Sequence, residues 1–325
     1  MIVTASISME HSQHIRRVDI TRDLGQVADL IELCFPIHLD PDGQTYVAQM
    51  RKAARGVRYL GVFSSLAEMG NTQASGFVWE EGGRIIGNVS LFPFTDHGHR
   101  IHLIANVAVH PDYRQQGIAR ALTVGALHYL RRQGEPVVWL QVKTDNLAAQ
   151  ALYRSVGFSD ALVRTTWRIR PIDAVEVEKS ANLRLRKPDK SAWPQQEALL
   201  DAVYPDDMRW NLPVNFQWLE PDPLQVLTQS MEGIWLRRWA VALSGESLGW
   251  IAWQKSNSFA NNLWLAFPEN SENEYLAPAL QSVMAKLSPK HSLSIDYPEG
   301  RFQDGFERLG FTPFRTLIWM RYKLK

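Results

Sequence analysis

Three features that often reveal a protein's class are scarce in this sequence: cysteine, net charge and long apolar runs. Cys34 is the only cysteine in 325 residues, which excludes a disulfide within the chain. The 35 basic and 34 acidic residues give a formal charge of +1, so no overall field favours nucleic acid or an anionic membrane. No run approaches the ~20 apolar residues of a membrane span, and the first residues lack a signal-peptide pattern. We expect a cytoplasmic globular protein without nucleic-acid or membrane partners.

The chain has enough apolar residues, 45%, and enough length to form two domains. Three pairs of similar strings occur in the same order in both halves. They are ELCFP (32–36) with DAVYP (201–205), GRIIGNVSLF (83–92) with GESLGWIAWQ (245–254), and YRSVGF (153–158) with FERLGF (306–311). Chance likeness of short apolar strings is the alternative, but it would not preserve the order. We therefore predict two copies of one domain, at residues 1–175 and 180–325.

Apolar periodicity and turn residues predict the elements of the first half. A glycine pair, Gly82 and Gly83, predicts a hairpin turn, and Gly157 predicts a helix end. The predicted helices span residues 21–35, 46–54, 118–133 and 146–156, and the predicted strands span 15–20, 100–111 and 137–144, with two short strands in 159–170.

A strand-to-helix junction, VHPDYRQQGIARAL at 109–122, carries the main functional signal. A helix N-terminus leaves backbone N–H groups without partners and favours anions. Gly117 allows a ligand to approach the main chain, and Arg114 adds a full positive charge. The junction lacks the three glycines of a dinucleotide fingerprint and the Gly-Lys-Ser/Thr ending of a nucleotide triphosphate loop. We predict a diphosphate site at residues 114–119.

Together with the strand VVWLQVKTDN and the helix NLAAQALYRSVGF, this junction resembles the acetyl-coenzyme A binding core of the GCN5-related N-acetyltransferase (GNAT) family. The resemblance implies an α/β fold with a mixed sheet, here two tandem GNAT-like domains, and acetyl-CoA as cosubstrate. It implies backbone contacts to the pantetheine arm, a loop around the diphosphate, and Asn146 and Tyr153 near the thioester, as catalytic residues. The implied cofactor-binding residues are Val107, Ala108, Val109, Arg114, Gln115, Gln116, Gly117, Ile118, Ala119, Asn146 and Tyr153.

The implied activity is acetyl transfer to an amine by direct attack on the thioester. The Val107 N–H would stabilise the developing oxyanion, and the Tyr153 phenol would protonate the departing thiolate. Cys34 lies far from the motif in sequence, so a covalent acetyl-enzyme is disfavoured. The alternative function is a non-catalytic acyl-CoA-binding sensor or scaffold.

The sequence does not identify the general base. Many family members carry a glutamate on the strand before the loop, and this sequence has Ala105 and Asn106 there. Glu80, Glu81, His102 and a water relay are the alternatives.

The acceptor is predicted only as a small-molecule or peptide amine, bound by variable loops that here would be CFPIHLDPDGQTY (34–46) and a segment of the second half at 204–223. Trp210, Phe216 and Trp218, in an acidic segment at 204–223, suit a cationic amine, or else pack between the domains. The stretch HGHRIH at 97–102 matches no zinc signature, so no metal is expected. The oligomeric state stays open between monomer and homodimer.

The second copy is predicted to have lost the cofactor. Its strand at 261–268 is followed by ENSENEYLAPAL, which has no arginine or glycine. Glu269, Glu272 and Glu274 would repel a diphosphate at that position. We therefore expect one CoA per chain, bound in the N-terminal half.

Overall fold

The computed structural model describes residues 13–35, 40–55, 75–170, 182–222, 225, 228, 229, 231–287 and 291–324. The chain divides into two compact units. Unit 1 comprises Met1–Leu162 and Ile318–Lys325, and unit 2 comprises Val163–Leu317. The predicted domain boundaries at 175 and 180 lie outside the described residues and stay predictions.

Unit 1 begins with a short strand and two helices and continues with a hairpin-rich sheet. Its elements are β1 (Ile15–Arg17), α1 (Ile20–Cys34), α2 (Pro41–Ala54), β2 (Ser75–Glu81), β3 (Arg84–Asp96), β4 (His99–Val109), α3 (Ile118–Arg132), β5 (Val137–Lys143) and α4 (Leu147–Val156). Helix α1 starts one residue before its predicted start, capped by the Asp19 side chain, and α2 starts five residues before, at Pro41 after the Asp40 cap.

The sheet of unit 1 has the order β1-β2-β3-β4-β5. Neighbouring strands are antiparallel except β4 and β5, which are parallel. Gly82 and Gly83 both have positive φ, 55° and 79°, the conformation that a two-residue hairpin turn requires, so the predicted hairpin is confirmed. Apolar residues of α1 and α2, including Ile31 and Val47, form one buried cluster with Val78 on β2. Burying these apolar faces fixes both helices next to the strands that carry the predicted site.

Unit 2 repeats the order of elements. It contains part of β6 (Ser159–Ile169), then β7 (Leu183–Arg186), α5 (Trp193–Val203), β8 (Leu236–Leu243), β9 (Glu246–Gln254), β10 (Ala260–Ala266), α6 (Ala277–Met284), β11 (Ser292–Pro298), α7 (Gln303–Arg308) and the first part of β12 (Thr312–Lys323). Short helical turns at Glu269–Ser271 and Glu272–Leu276 lead into α6. The two copies therefore share one α/β architecture with a mixed sheet.

The strand that follows the last helix of each copy departs from the sequence prediction. Residues 159–169 form one strand of eleven residues, so the prediction of two short strands there was wrong. From Arg164 onward β6 pairs antiparallel with β11, and the Arg164 side chain donates to the Asp296 carboxylate and to its carbonyl oxygen on that strand. The C-terminal residues complete unit 1, where Trp319 packs against Trp139. The positions of these strands depend on which strands they pair with, and the local sequence does not encode that choice.

Candidate functional site

Strands β4 and β5 separate towards their C-terminal ends. Their paired residues are His102–Ile104 with Val138–Leu140, and within these fully described strands the pairing stops there, although β4 continues to Val109 and β5 to Lys143. The backbone of β4 beyond Ile104 therefore borders an opening on the β5 side. Val107 and Val109 are half-buried there and Ala108 is buried. Unpaired N–H and C=O groups on a strand edge can bind an extended ligand.

The junction between β4 and α3 forms a concave backbone surface. Gln115 and Gly117 have left-handed φ values of 63° and 78°, which alternate with residues of negative φ. Such alternation turns successive N–H groups towards one point and makes an anion-binding nest. Gly117 is the N-cap of α3 and makes no side-chain cap hydrogen bond, so the helix N-terminus is left for a ligand. The four residues from Arg114 to Gly117 are exposed, Ile118 is buried and Ala119 is half-buried.

Arg114 and Cys34 meet at the end of β4. The Arg114 Nε donates to the Val109 carbonyl oxygen over 3.2 Å, and the Cys34 Sγ donates to the same oxygen over 3.3 Å. Burial raises the pKa of the Cys34 thiol, and a hydrogen bond from Arg114 opposes this only in part. Cys34 therefore lies beside the predicted site despite its distance in sequence. Its thiol is a weak nucleophile there because it stays protonated at neutral pH.

Tyr153 and Asn146 lie at opposite ends of α4 and differ in burial. Tyr153 is 7% exposed, and burial raises the pKa of its phenol, so the hydroxyl keeps its proton through the physiological range. Among the described residues none donates to or accepts from that hydroxyl. Asn146 is exposed and caps α4, because its side-chain oxygen accepts from the Ala149 N–H at 3.1 Å. Its role at a thioester stays a prediction.

A polar cluster surrounds Asn106, the residue before Val107. Asn106 has φ +51°, in a β-bulge where β3 and β4 shift register. Its Nδ2 donates to the Tyr46 hydroxyl over 3.0 Å and to the Ser90 hydroxyl over 3.4 Å. The buried Asn88 supports the bulge, since its Nδ2 donates to the Asn106 carbonyl over 2.9 Å. The sequence pointed to Asn106 only as a missing glutamate and to Tyr46 only as the end of a predicted acceptor loop. The bulge and the contact between these two residues were not predicted.

Of the candidate bases, Glu80 is occupied by other partners. It pairs with Arg16 at 2.5 Å and with Arg22 at 3.3 Å. Glu81 is an exposed residue at the hairpin end of β2.

His102 is buried, but it lies five residues before Val107 on β4, about 17 Å away along the strand. Its Nδ1 is 3.6 Å from a Glu135 carboxylate oxygen. Burial, with a smaller effect of Arg100, lowers the pKa of His102 to about 4. A base of such low pKa at the far end of the strand is poorly suited to the reaction.

In unit 2 the corresponding positions are filled by its own side chains. The Tyr204 hydroxyl accepts from the Leu265 N–H over 3.2 Å, on the strand equivalent to β4. Glu272 is buried and accepts from the Tyr297 hydroxyl at 2.6 Å and from Arg301. Glu269 and Glu274 are exposed. Glu272 thus stabilises the interior of unit 2 and does not face an open cradle, which corrects its expected place beside Glu269 and Glu274.

The aromatic segment of unit 2 also packs inward. The Phe216 ring lies 5.6 Å from the Tyr204 ring and 6.1 Å from the Trp264 ring, and the Arg209 guanidinium lies 4.3 Å from its centroid. Phe216 therefore belongs to the packing of unit 2, which favours the structural alternative for this residue. Within the described residues, no group of three or more His, Cys, Asp or Glu side chains could hold a metal ion. No described helix is long and apolar enough to cross a membrane.

A splayed pair of parallel strands that leads into a helix is the core of the acyl-CoA N-acyltransferase fold. Both units contain such a pair, since β4 pairs with β5 over His102–Ile104 and β10 pairs with β11 over Ala260–Leu263, and the nest described above lies in unit 1. Residues 29–158 match the model of the Acetyltransferase (GNAT) family. This part of the chain is therefore similar to a GNAT domain.

Curated relatives match short parts of the chain. A [Ribosomal protein bS18]-alanine N-acetyltransferase of Escherichia coli K12 is 44% identical over 62 residues, 19% of this chain and 42% of the relative. A mycothiol acetyltransferase of Thermobifida fusca is 48% identical over 52 residues, 16% of each chain. The matched region thus spans less than half the length of these relatives.

Solved structures resemble nearly the whole chain. A tandem GNAT protein from the clavulanic acid biosynthesis pathway aligns with a TM-score of 0.51 and 17% identity, covering 96% of this chain and 98% of the other. A GCN5-related N-acetyltransferase from Sphaerobacter thermophilus aligns with a TM-score of 0.57 and 12% identity, covering 96% and 95%. At such identity the likeness concerns the fold, and it supports the tandem arrangement.

Proposed function

We propose that the protein is an acetyl-CoA-dependent N-acetyltransferase whose active site lies in unit 1. The observation that carries the proposal is the nest formed by left-handed Gln115 and Gly117 at the uncapped start of α3. This arrangement fits a diphosphate, since converging N–H groups and the helix dipole both favour negative charge. The relatives named above are acetyltransferases, which agrees with this proposal.

The opening beside β4 would take the pantetheine arm. Val107 and Val109 would provide backbone hydrogen bonds to an extended chain, with Ala108 packed below them. Arg114 would exchange its contact with the Val109 carbonyl for the diphosphate, because a charge-assisted bond to phosphate is stronger than one to a neutral carbonyl. Gln116, Ile118 and Ala119 would complete the phosphate contacts through their backbone N–H groups.

Acetyl transfer would use three groups of the protein: the Val107 N–H, the Tyr153 phenol and the Asn146 side chain. The Val107 N–H would stabilise the charge that develops on the thioester oxygen. The Tyr153 phenol, kept protonated by burial, would give its proton to the departing sulfur. The acceptor amine would attack directly, and the protonated state of Cys34 argues against an acetyl-cysteine intermediate. Asn146 is proposed as a further contact near the thioester, through the amide group that its cap bond leaves available.

Unit 2 is proposed as a degenerate copy that keeps the fold without the ligand. The Tyr204 hydroxyl accepts from the Leu265 N–H, and Glu272 is hydrogen-bonded in the interior of unit 2, which supports this proposal. A cytoplasmic location, and a monomer or homodimer, remain predictions.

Calorimetric titration with CoA, combined with thiol release from acetyl-CoA across an amine panel, tests the proposal. We expect one CoA per chain and amine-dependent thiol release. Two equivalents would contradict the degenerate copy. Binding without turnover on any amine would favour the sensor or scaffold function.

A further inference from the structure

The cluster of Tyr46, Asn88, Ser90 and Asn106 contains only neutral side chains, although it lies next to the backbone proposed to hold the thioester. Asn106 immediately precedes Val107, and its left-handed conformation turns its side chain towards Tyr46 and Ser90. Strained, non-glycine backbone that is held by neighbouring hydrogen bonds is typical of functional positions. Asn88 supplies that support from below, through the Asn106 carbonyl.

The hydrogen bonds of the cluster leave capacity for a ligand. The Tyr46 oxygen accepts from Asn106, so its own hydrogen can be donated elsewhere. Among the described residues, none donates to the Asn106 Oδ1. The Ser90 hydroxyl likewise accepts from Asn88 and Asn106, so the cluster offers two donors and one acceptor beside Val107, all uncharged. Burial raises the pKa of the Tyr46 phenol, so this group stays neutral as well.

A neutral site discriminates strongly between classes of amine. An ammonium group that contacts these four residues loses its hydration and gains no carboxylate from them in return. The acceptor must then lose its proton in water before it binds. An α-amino group, with an ordinary pKa of about 7.7–8.0, is roughly one-tenth neutral at pH 7, whereas a lysine ε-amino group with a pKa of about 10.4 is neutral in fewer than one molecule in a thousand.

The described carboxylate and imidazole candidates do not supply the missing base. Glu80 is paired with Arg16 and Arg22, and His102 lies at the other end of β4 with Glu135. An amine that binds in its neutral form does not need a general base on the protein. The C–N bond forms, the C–S bond breaks, and the proton lost by nitrogen balances the proton gained by sulfur. Tyr153 could relay that proton, giving one to sulfur and recovering one from nitrogen.

We propose that Tyr46, Ser90 and Asn106 form the acceptor end of the active site, and that this uncharged site selects α-amino groups, such as those of amino acids or peptide N-termini, over lysine side chains. The inference rests on the proposed acetyltransferase activity of unit 1. Tyr46 and Asn106 contact the amine, and Asn88 positions Asn106.

Two matched sets of acceptors test this selection. One contains amino-acid amides and a degenerate peptide library with free N-termini and no lysine. The other contains α-acetylated lysine amide and the same library with blocked N-termini and one lysine. At pH 7 we expect kcat/KM for the first set to exceed that for the second by about 10²-fold or more. Comparable rates on both sets, or CoA binding with no transfer to either set, would overturn the inference. Failure to bind CoA would instead refute the proposed function.

The pH profile provides a second readout. With no protein base, kcat/KM should rise about tenfold per pH unit and level off near the pKa of the acceptor amine, so the break should move when the amine is changed. A break at one fixed, lower pH for every amine would reveal a protein base and contradict the neutral site.

Two variants locate the site. Tyr46→Phe should raise the acceptor KM about fivefold to tenfold while the CoA affinity stays unchanged, because it removes the hydrogen bond to the acceptor and the bond from Asn106, and neither contacts CoA. Asn106→Asp is nearly isosteric, and aspartate also tolerates the left-handed conformation. It should shift the preference towards lysine by about tenfold. If Asn106→Asp fails to fold, the Tyr46→Phe result decides, and an unchanged acceptor KM would contradict the assignment.

Discussion

The junction after β4 in unit 1 differs from the junction after its counterpart β10 in unit 2, although the order of elements is the same. In unit 1 eight residues, 110–117, separate β4 from α3, and two of them have left-handed backbone. In unit 2 only residues 267 and 268 separate β10 from a helical segment that continues from Glu269 into α6 without a break, whereas the eight residues of unit 1 include a short 3-10 turn at Pro111–Tyr113. The longer junction can form a nest around an anion, and the shorter one cannot. The fold and the ligand site are therefore separable properties of this architecture.

The two units also differ in how the backbone groups next to this junction are satisfied. In unit 1 the β4 backbone borders an opening, whereas in unit 2 the Tyr204 hydroxyl satisfies the Leu265 N–H. Glu272, Tyr297 and Arg301 add a buried polar network to unit 2. A backbone group that no ligand satisfies must find a partner within the protein, because an unpaired buried N–H costs about 1–3 kcal/mol.

A matched pair of glycine substitutions, one in each unit, should give the largest difference in CoA affinity. Gly117→Glu places a carboxylate in the nest and should weaken CoA binding about 10³-fold, since like charges at ~4 Å repel by about 4 kcal/mol at an effective dielectric of 20. Gly300→Glu is the control, because Gly300 has the same φ of 78° but lies in a turn of unit 2 with open space around it. Calorimetry should show CoA affinity lost in the first variant alone. An equal effect in both, or in neither, would argue against the nest.

Two of the buried tyrosines, Tyr153 in unit 1 and Tyr204 in unit 2, should have opposite consequences when substituted. Tyr153→Phe should lower kcat by roughly 10²-fold with little change in CoA affinity, because a proton donor is lost. Tyr204→Phe should leave turnover unchanged and lower the free energy of unfolding by about 1–3 kcal/mol, because the Leu265 N–H loses its acceptor. Steady-state kinetics and denaturant titration of both variants measure this. An unchanged kcat for Tyr153→Phe, with chemistry rate-limiting, would remove Tyr153 from the mechanism.

Acid should weaken unit 1 through Asp23. Burial disfavours its charge, but hydrogen bonds from Arg16, the Asp19 N–H and Arg22 outweigh that effect and lower the pKa of Asp23 to about 2. The folded pKa lies below the ordinary 3.8, so this contribution is present above about pH 4 and is lost as pH falls towards 2. Asp23→Asn should be less stable than the wild type by about 2 kcal/mol at pH 6, and the gap should shrink below pH 4. Hydrogen exchange, resolved by unit, should detect the loss in unit 1; a gap independent of pH would contradict the ionic origin.

The smallest effect concerns Arg114. Arg114→Ala should weaken CoA binding by about tenfold, the lower end for a charge-assisted contact of about 1.5–3 kcal/mol, because this exposed side chain is screened by solvent. Arg132→Ala, at the other end of α3 and also exposed, removes the same charge and should leave CoA affinity unchanged. Titration at two salt concentrations should show a salt dependence that is reduced only in Arg114→Ala.

Much of the fold could be predicted from local patterns. Gly82 and Gly83 marked the hairpin, and apolar periodicity marked α3 to within one residue of its end. The β6 region was misjudged because a long strand and two short ones share the same alternation. Asn106 was recognised as a substitution for a glutamate, but its left-handed bulge depends on Asn88 and on the register of β3, neither of which is local.

The sequence by itself determined the tandem repeat and the difference between the junction at 109–122, with Arg114 and Gly117, and its counterpart in the second half, which has no arginine or glycine. Each is written in contiguous residues whose backbone preferences are local. The tertiary structure alone decided which unit the last strands complete, and it brought Cys34 to Val109 and Tyr46 to Asn106. It also turned Glu272 inward to Arg301. These outcomes join residues tens of positions apart, and they depend on packing and on the need to satisfy buried polar groups, which no local pattern specifies.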